Sequence, residues 1–321
     1  MDPPKIDHLS FSTSSTFVCN GSSKAMDPPE IDPASFSTRP PAGNHGKLLT
    51  NFLISHPAVQ FIQFQWQDLS GILRARIVTK SYSVDLATTN KPLRGPPCTS
   101  NCMADNTLLP TVDPRTTHWY FPDWSTLRVR RAKGLDSPYA TVMCEIVETK
   151  ALNPVPNCDL CPRRALGNVL ETAVKTFGLN FLVGFEVEFM IMKTSSDGEI
   201  VPHSTGLGLM AVAGLRDASF KYVEECIFEL QESGVQLQSF HTEGRRGQYE
   251  FALGPLPPME AVDQLILVHD TIKRTFARHG YIGTYSVPEI SQHCNFVKFP
   301  RNRQLARQWL DTFQFFFLKQ Y

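Results

Sequence analysis

The chain of 321 residues carries no net charge: 31 Lys and Arg balance 31 Asp and Glu, with no long block of either sign. That removes the global electrostatic argument for a nucleic-acid or membrane-surface partner. No run approaches about 18 consecutive apolar residues, so no transmembrane helix is expected. The N-terminus lacks the charged-then-apolar pattern of a secretory signal, and a cytoplasmic location is the simplest expectation. Metal-spaced cysteine pairs are also scarce. Of eight scattered cysteines only Cys158 and Cys161 have a CxxC spacing. A zinc staple needs a second pair, for which Cys98 and Cys102 are the remaining candidates. Pro154, Pro156 and Pro162 around the CxxC point to a loop entering a helix rather than a redox βαβ unit. Free cytosolic thiols are therefore expected.

What is present suffices for two domains: 42% of residues are hydrophobic and 19% charged. Residues 1–50 are rich in Pro, Ser, Thr and Asp and read as a disordered leader. The leader contains a near-duplication. MDPPKIDHLSFST at 1–13 recurs as MDPPEIDPASFST at 26–38, differing only at Lys5/Glu30, His8/Pro33 and Leu9/Ala34. Two copies of a polar segment build no solenoid, and Met26 is a candidate alternative start.

Order is expected from near Leu48. Val59 to Phe64 and Ile72 to Val78 read as strands around a turn at Asp68–Gly71, and 139–148 as another strand. The stretch PTVDPRTTHWYFPDWSTL reads as loop-rich, with Trp119 and Trp124 as packing anchors. Residues 51–150 are thus a small strand-rich domain. From Pro162 the period changes. Leu166, Val169, Leu170, Ala173 and Phe177 recur at helical spacing before Gly178; Phe220 to Leu230 and Val262 to Phe276 repeat the pattern before Gly234 and Gly280. His269 falls on the apolar face of the last helix and reads as a core histidine.

Two strands carry the chemistry. In VGFEVEFMIM at 183–192, period two places Glu186 and Glu188 on one face, about 6.6 Å apart. Like charges side by side repel, so that face is either open to water or shared with a cation. Oxygen ligands of this kind suit Mg²⁺ or Mn²⁺. In LQSFHTEGRRGQYEFAL at 237–253, Glu243 and Glu250 bracket a turn carrying Arg245 and Arg246. Glu250 shares a strand face with Gln248 and Ala252. Four carboxylates converging from two strands would suit two divalent cations in phosphoryl transfer. The two arginines are either a solvated turn or a contact for phosphate or an anionic substrate.

These residues resemble the glutamine synthetase family, and most of all its fungal glutamine synthetase-like members. VGFEVEF is similar to the family's G-x-E-x-E-F strand, and HTEGRRGQYEFALGPLPP to its H-x-E and G-Q-x-E segment. QDLSGILRARIV, FPDWSTLRV and LCPRRAL follow in family order, so the resemblance covers about 51–288. It implies an α+β fold: a β-grasp-like N-terminal domain at 51–150, then a glutamine synthetase-type catalytic domain at 151–321, an antiparallel sheet with flanking helices. It implies ATP and Mg²⁺ or Mn²⁺ as cofactors. Glu188, Glu243 and Glu250 would hold one ion, and Glu186 the other, beside the ATP phosphates. The implied reaction is ATP-dependent ligation of a carboxylate, glutamate by family default, to ammonia or an amine through an acyl phosphate. The implied assembly is a homo-oligomer, a ring in which the N-terminal domain closes a neighbour's site.

The pattern departs after residue 288. The family's His-x-His element would fall where only His293 is found, with Asn295 in the second place. His293 is thus a candidate ligand of the second ion or an unrelated loop histidine. The family's downstream arginines and last metal-binding glutamate have no counterpart, and the stretch ends in Phe313, Phe315, Phe316 and Phe317. A C-terminally incomplete catalytic domain is expected. With it comes an alternative to the ligase: a non-catalytic glutamine synthetase-like protein with a regulatory or assembly role.

Overall fold

A computed structural model describes residues 44–285, apart from 104, 111, 131–136, 151–152, 158–160 and 205. Residues 1–43 of the leader, Cys158, His293 and the phenylalanine-rich stretch lie outside the described residues, whereas the leader's last residues, 45–50, are not disordered but open a helix, His45–Ser55, where Leu49 is buried.

The first layer is a six-stranded sheet. Helix α1 (His45–Ser55) precedes β1 (Phe61–Gln67) and β2 (Leu73–Thr79), an antiparallel pair. Their turn is tied by Asp68, whose carboxylate accepts from the Ser70 and Ile72 amides and pairs with Arg74 at 2.6 Å. Helix α2 (Lys80–Thr89) and β3 (Leu93–Gly95) follow, then β4 (Thr117–Val129), β5 (Tyr139–Lys150) and β6 (Asn153–Asn157). The order is β2-β1-β5-β4-β3, with β6 beside β5; β1 and β5 run parallel and the other pairs antiparallel. Ile62, Phe64 and Trp66 of β1 enter a core with Leu49 and Leu53 of α1 and Leu86 of α2.

The stretch read as loop-rich is instead largely β4, a thirteen-residue strand. Pro122 obscured it, because proline is rare inside sheets. It is accommodated because β3 pairs only with His118–Tyr120, leaving an edge beyond. The ladder to β5 then shifts register between Asp123 and Arg128. Trp119 and Trp124 are buried, as expected of anchors.

The second layer begins with α3 (Pro162–Phe177), which ends at Gly178 in the left-handed conformation, φ 63°. The Gly178 amide then reaches the Val174 carbonyl and the Leu179 amide the Ala173 carbonyl. Next come β7 (Glu186–Thr194), β8 (Ile200–Pro202), the short α4 (Val212–Leu215), α5 (Phe220–Glu232), β9 (Leu237–Thr242), β10 (Gln248–Leu253), α6 (Pro258–Arg278) and β11 (Ile282–Thr284). These strands form an antiparallel sheet in the order β11-β7-β10-β9, with β8 beside β7. The fold is α+β, as expected. Val187, Phe189, Ile191, Tyr249 and Phe251 occupy one sheet face. They pack against Val223 and Leu230 of α5 and Val268, Ile272 and Phe276 of α6. Period two then sends the intervening carboxylates to the opposite face.

Arg163, in the first turn of α3, ties the two layers together. Its guanidinium meets Asp263 of α6 at 2.7 Å, Asp123 of β4 at 2.9 Å and Glu145 of β5 at 3.4 Å. Burial pulls its pKa down, but the three carboxylates more than reverse this, so the side chain stays charged.

Candidate metal centre

The polar face of the second sheet gathers the acidic residues by register. Glu250 of β10 stands directly opposite Glu188 of β7 on one side and His241 of β9 on the other. Glu186 lies two residues from Glu188 on the same face, opposite Ala252. Glu243 follows His241 by two and closes the row, its amide donating to the Gln248 carbonyl across the turn. The four carboxylates expected to converge therefore share one face.

The side chains meet as well. Donor atoms of His241, Glu243 and Glu250 lie within 4.8 Å of one another. His241 Nε2 is 3.5 Å from Glu250 Oε1, and Nδ1 is 4.0 Å from Glu243 Oε1. Glu188 is oriented by Gln248, whose amide donates to its Oε2 at 2.7 Å. Glu186 and Glu188 are exposed, whereas Glu250 is 8% exposed. Burial raises the Glu250 pKa; the charges on Glu186, Glu243 and Glu188 raise it further, while His241 acts the other way.

A loop braces the turn from one side. The Leu209 and Met210 amides donate to the Glu243 and Thr242 carbonyls at 3.1 and 2.8 Å. Both residues are held at positive φ, 54° and 60°, a conformation that costs on the order of 1–3 kcal/mol each and persists only when the surroundings impose it. Gly208 passes so close that a Cβ there would sit 1.9 Å from the Glu243 carbonyl oxygen. Arg245 is half-buried in the turn, its amide donating to the Gln248 side chain, and Arg246 is exposed.

The donor set fits a hard or borderline divalent cation. Carboxylates crowd a partly desolvated face, and the imidazole Nδ1 is buried without a hydrogen-bond partner. A cation there would offset the repulsion and give the unpartnered nitrogen a ligand. The donor group contains no cysteine, and Cys98, Cys102 and Cys226 are free thiols. A cavity of about 70 Å³ is lined by Met143, Cys144, Leu166 and Ile266 beside Arg163 and Asp263; the carboxylates gathered there already share the Arg163 guanidinium.

Sequence reading missed two contributors. The sequence places Gln248 on the Glu250 face, but its grip on Glu188 depends on a strand pairing sixty residues apart. His241 is the histidine of the H-x-E segment, and nothing local to the sequence sets it across from Glu250. His269 is half-buried, its ring tilted against Tyr285 with centroids 4.2 Å apart, and burial lowers its pKa to about 4.

Comparison with known proteins gives these positions a context. Residues 159–294 match the family model for the glutamine synthetase catalytic domain. Protein fluG of Emericella nidulans is 29% identical over 244 residues, 74% of this chain and 27% of that protein. A gamma-glutamylpolyamine synthetase of Streptomyces coelicolor is 31% identical over 123 residues, 37% of this chain and 26% of that one. Type-1 glutamine synthetase 1 of Dictyostelium discoideum is 24% identical over 270 residues, 75% and 51% respectively. The chain thus spans between about a quarter and half of the length of these relatives. Among solved structures, a GmaS complex with ADP superposes with a TM-score of 0.60 at 18% identity, over 74% of this chain and 50% of that chain. At that identity the likeness speaks for the fold alone.

Proposed function

We propose, from the premise that the chain belongs to the glutamine synthetase family, that its carboxylate face serves an ATP-dependent ligation. One carboxylate, glutamate by family default, is joined to ammonia or an amine. The observation that carries this reading is the cross-strand row Glu188–Glu250–His241, flanked by Glu186 and Glu243. Relatives by name include a gamma-glutamylpolyamine synthetase and a glutamate–isopropylamine ligase, which favours an amine co-substrate as readily as ammonia.

In the proposed reaction the substrate carboxylate oxygen attacks the γ-phosphorus of ATP and ADP leaves. The amine nitrogen then attacks the acyl carbon, phosphate departs, and the nitrogen loses a proton. Glu188, Glu243 and Glu250 hold one divalent ion, and Glu186 helps hold another beside the phosphates. Mg²⁺ or Mn²⁺ bound there supplies positive charge against the triphosphate oxygens. Gln248 fixes the Glu188 carboxylate, and the loop at 206–211 fixes the turn that presents Glu243. The same reading includes a β-grasp-like domain at 51–150 with the catalytic domain from 151, assembly with further copies of the chain, and a cytoplasmic location. No helix among the described residues is long and apolar enough to cross a membrane.

The test is γ-glutamyl hydroxamate formation from glutamate, hydroxylamine, ATP and Mn²⁺. Product that depends on ATP and disappears in Glu250→Gln supports the ligase. Metal-dependent ATP binding with no hydroxamate and no ADP release supports the regulatory or assembly alternative.

A further inference from the structure

We propose that His241 is a nitrogen ligand of the ion held by Glu243 and Glu250, and that it biases this site toward Mn²⁺ over Mg²⁺. The inference rests on the metal-binding reading of the carboxylate face and adds a ligand to it.

The geometry comes from three observations. His241 stands in register with Glu250 on the neighbouring strand, so both side chains rise from the same face. Nδ1 lies 4.0 Å from Glu243 Oε1 and Nε2 3.5 Å from Glu250 Oε1, and one donor atom from each of the three residues lies within 4.8 Å of the other two. Those separations are too long for hydrogen bonds. They are comparable to the spacing of donors around one ion, about 3 Å for neighbours and about 4.2 Å for opposed donors at bond lengths near 2.1 Å. Finally, Nδ1 is buried and has no hydrogen-bond partner. A buried polar atom left unpaired is costly, and a group that supplies its missing partner is favoured.

The chemistry then sets a preference. Mg²⁺ demands oxygen ligands and releases water reluctantly, so a nitrogen in its shell gains little. Imidazole suits first-row transition ions, and Mn²⁺ accepts both the carboxylates and the ring nitrogen. A site of oxygens alone would distinguish the two ions less.

The test is pulsed electron paramagnetic resonance on the full chain loaded with one equivalent of Mn²⁺, alongside Mn²⁺ and Mg²⁺ titrations of the chain and of His241→Gln. The expected result is ¹⁴N modulation from a directly bound imidazole that vanishes in His241→Gln. Mn²⁺ affinity should fall about 10-fold in the variant while Mg²⁺ affinity changes less than about 2-fold. Stoichiometric Mn²⁺ without nitrogen modulation, or modulation that persists in His241→Gln, overturns the His241 assignment and leaves the carboxylate site standing. If His241→Gln does not fold, ¹⁵N-histidine labelling of the unaltered chain decides whether imidazole is bound at all, and unchanged modulation on labelling overturns the proposal. Absence of any Mn²⁺ binding by the unaltered chain removes the site itself and the proposal with it.

Discussion

Replacing Glu250 by glutamine should reverse the order of stability between the ion-free and ion-loaded protein. Donor atoms of Glu250 and Glu243 lie within 4.8 Å. Two unit charges at that separation repel by about 3.5 kcal/mol at an effective dielectric near 20. The Glu243 side chain is 28% exposed, so solvent screens part of this. A net stabilisation of about 1–2 kcal/mol is expected for ion-free Glu250→Gln at neutral pH. Mn²⁺ at about 100 times its Kd adds about 2.7 kcal/mol to the unaltered chain. The variant, which has lost an ionised ligand, gains much less. At about 2–4 °C per kcal/mol, scanning calorimetry in EDTA should place the variant about 2–8 °C above the unaltered chain. Mn²⁺ should erase or invert that gap. A variant no more stable than the parent in EDTA, together with equal Mn²⁺ shifts in both, would refute the reasoning.

Arg163→Met should destabilise the protein by about 3–5 kcal/mol, seen as a lower urea midpoint, because three carboxylates lose their one shared cation. Arg163→Lys should recover only part of this, since an ammonium cannot fork across Asp123, Glu145 and Asp263. Gly208→Ala should weaken Mn²⁺ binding while leaving far-ultraviolet circular dichroism intact, because its Cβ would lie 1.9 Å from the Glu243 carbonyl oxygen and 2.8 Å from that of Arg245. His118 is fully buried, and burial lowers its pKa to about 4 from 6.5. The unfolded chain therefore binds its proton first, so the stability tied to this group is complete above about pH 6.5 and is lost as pH falls toward 4. Urea titrations between those values should show a slope up to about 1.4 kcal/mol per pH unit smaller in His118→Gln than in the parent.

The parts of this fold legible in the sequence are those with a local period and a local stop. Helix α3 could be read from its apolar spacing and Gly178, and β7 from the alternation that sets Glu186 and Glu188 apart from Val187 and Phe189. Helices α1 and α2 carry no such clear local signal. The α2 sequence KSYSVDLATT has β-branched and hydroxylated residues throughout, and it folds as a helix by burying Leu86 and Ala87 on the first sheet. Strand β4 was hidden by its proline. At the candidate site, residue identity was legible and register was not. Nothing local says that Glu250 will face Glu188 rather than Glu186, or that His241 will complete the row, because those pairings are set by packing of the apolar face against α5 and α6. The burial of Arg163 was invisible for the same reason: its three partners come from β4, β5 and α6.

The claim that carries the account is that Glu188, Glu243 and Glu250 close around a divalent ion. Anomalous scattering from crystals of the full chain grown with Mn²⁺ tests it most directly. The account predicts an anomalous peak within bonding distance of all three carboxylates, absent from crystals of Glu188→Gln/Glu250→Gln. Crystals with manganese bound elsewhere and no peak on this face would contradict it.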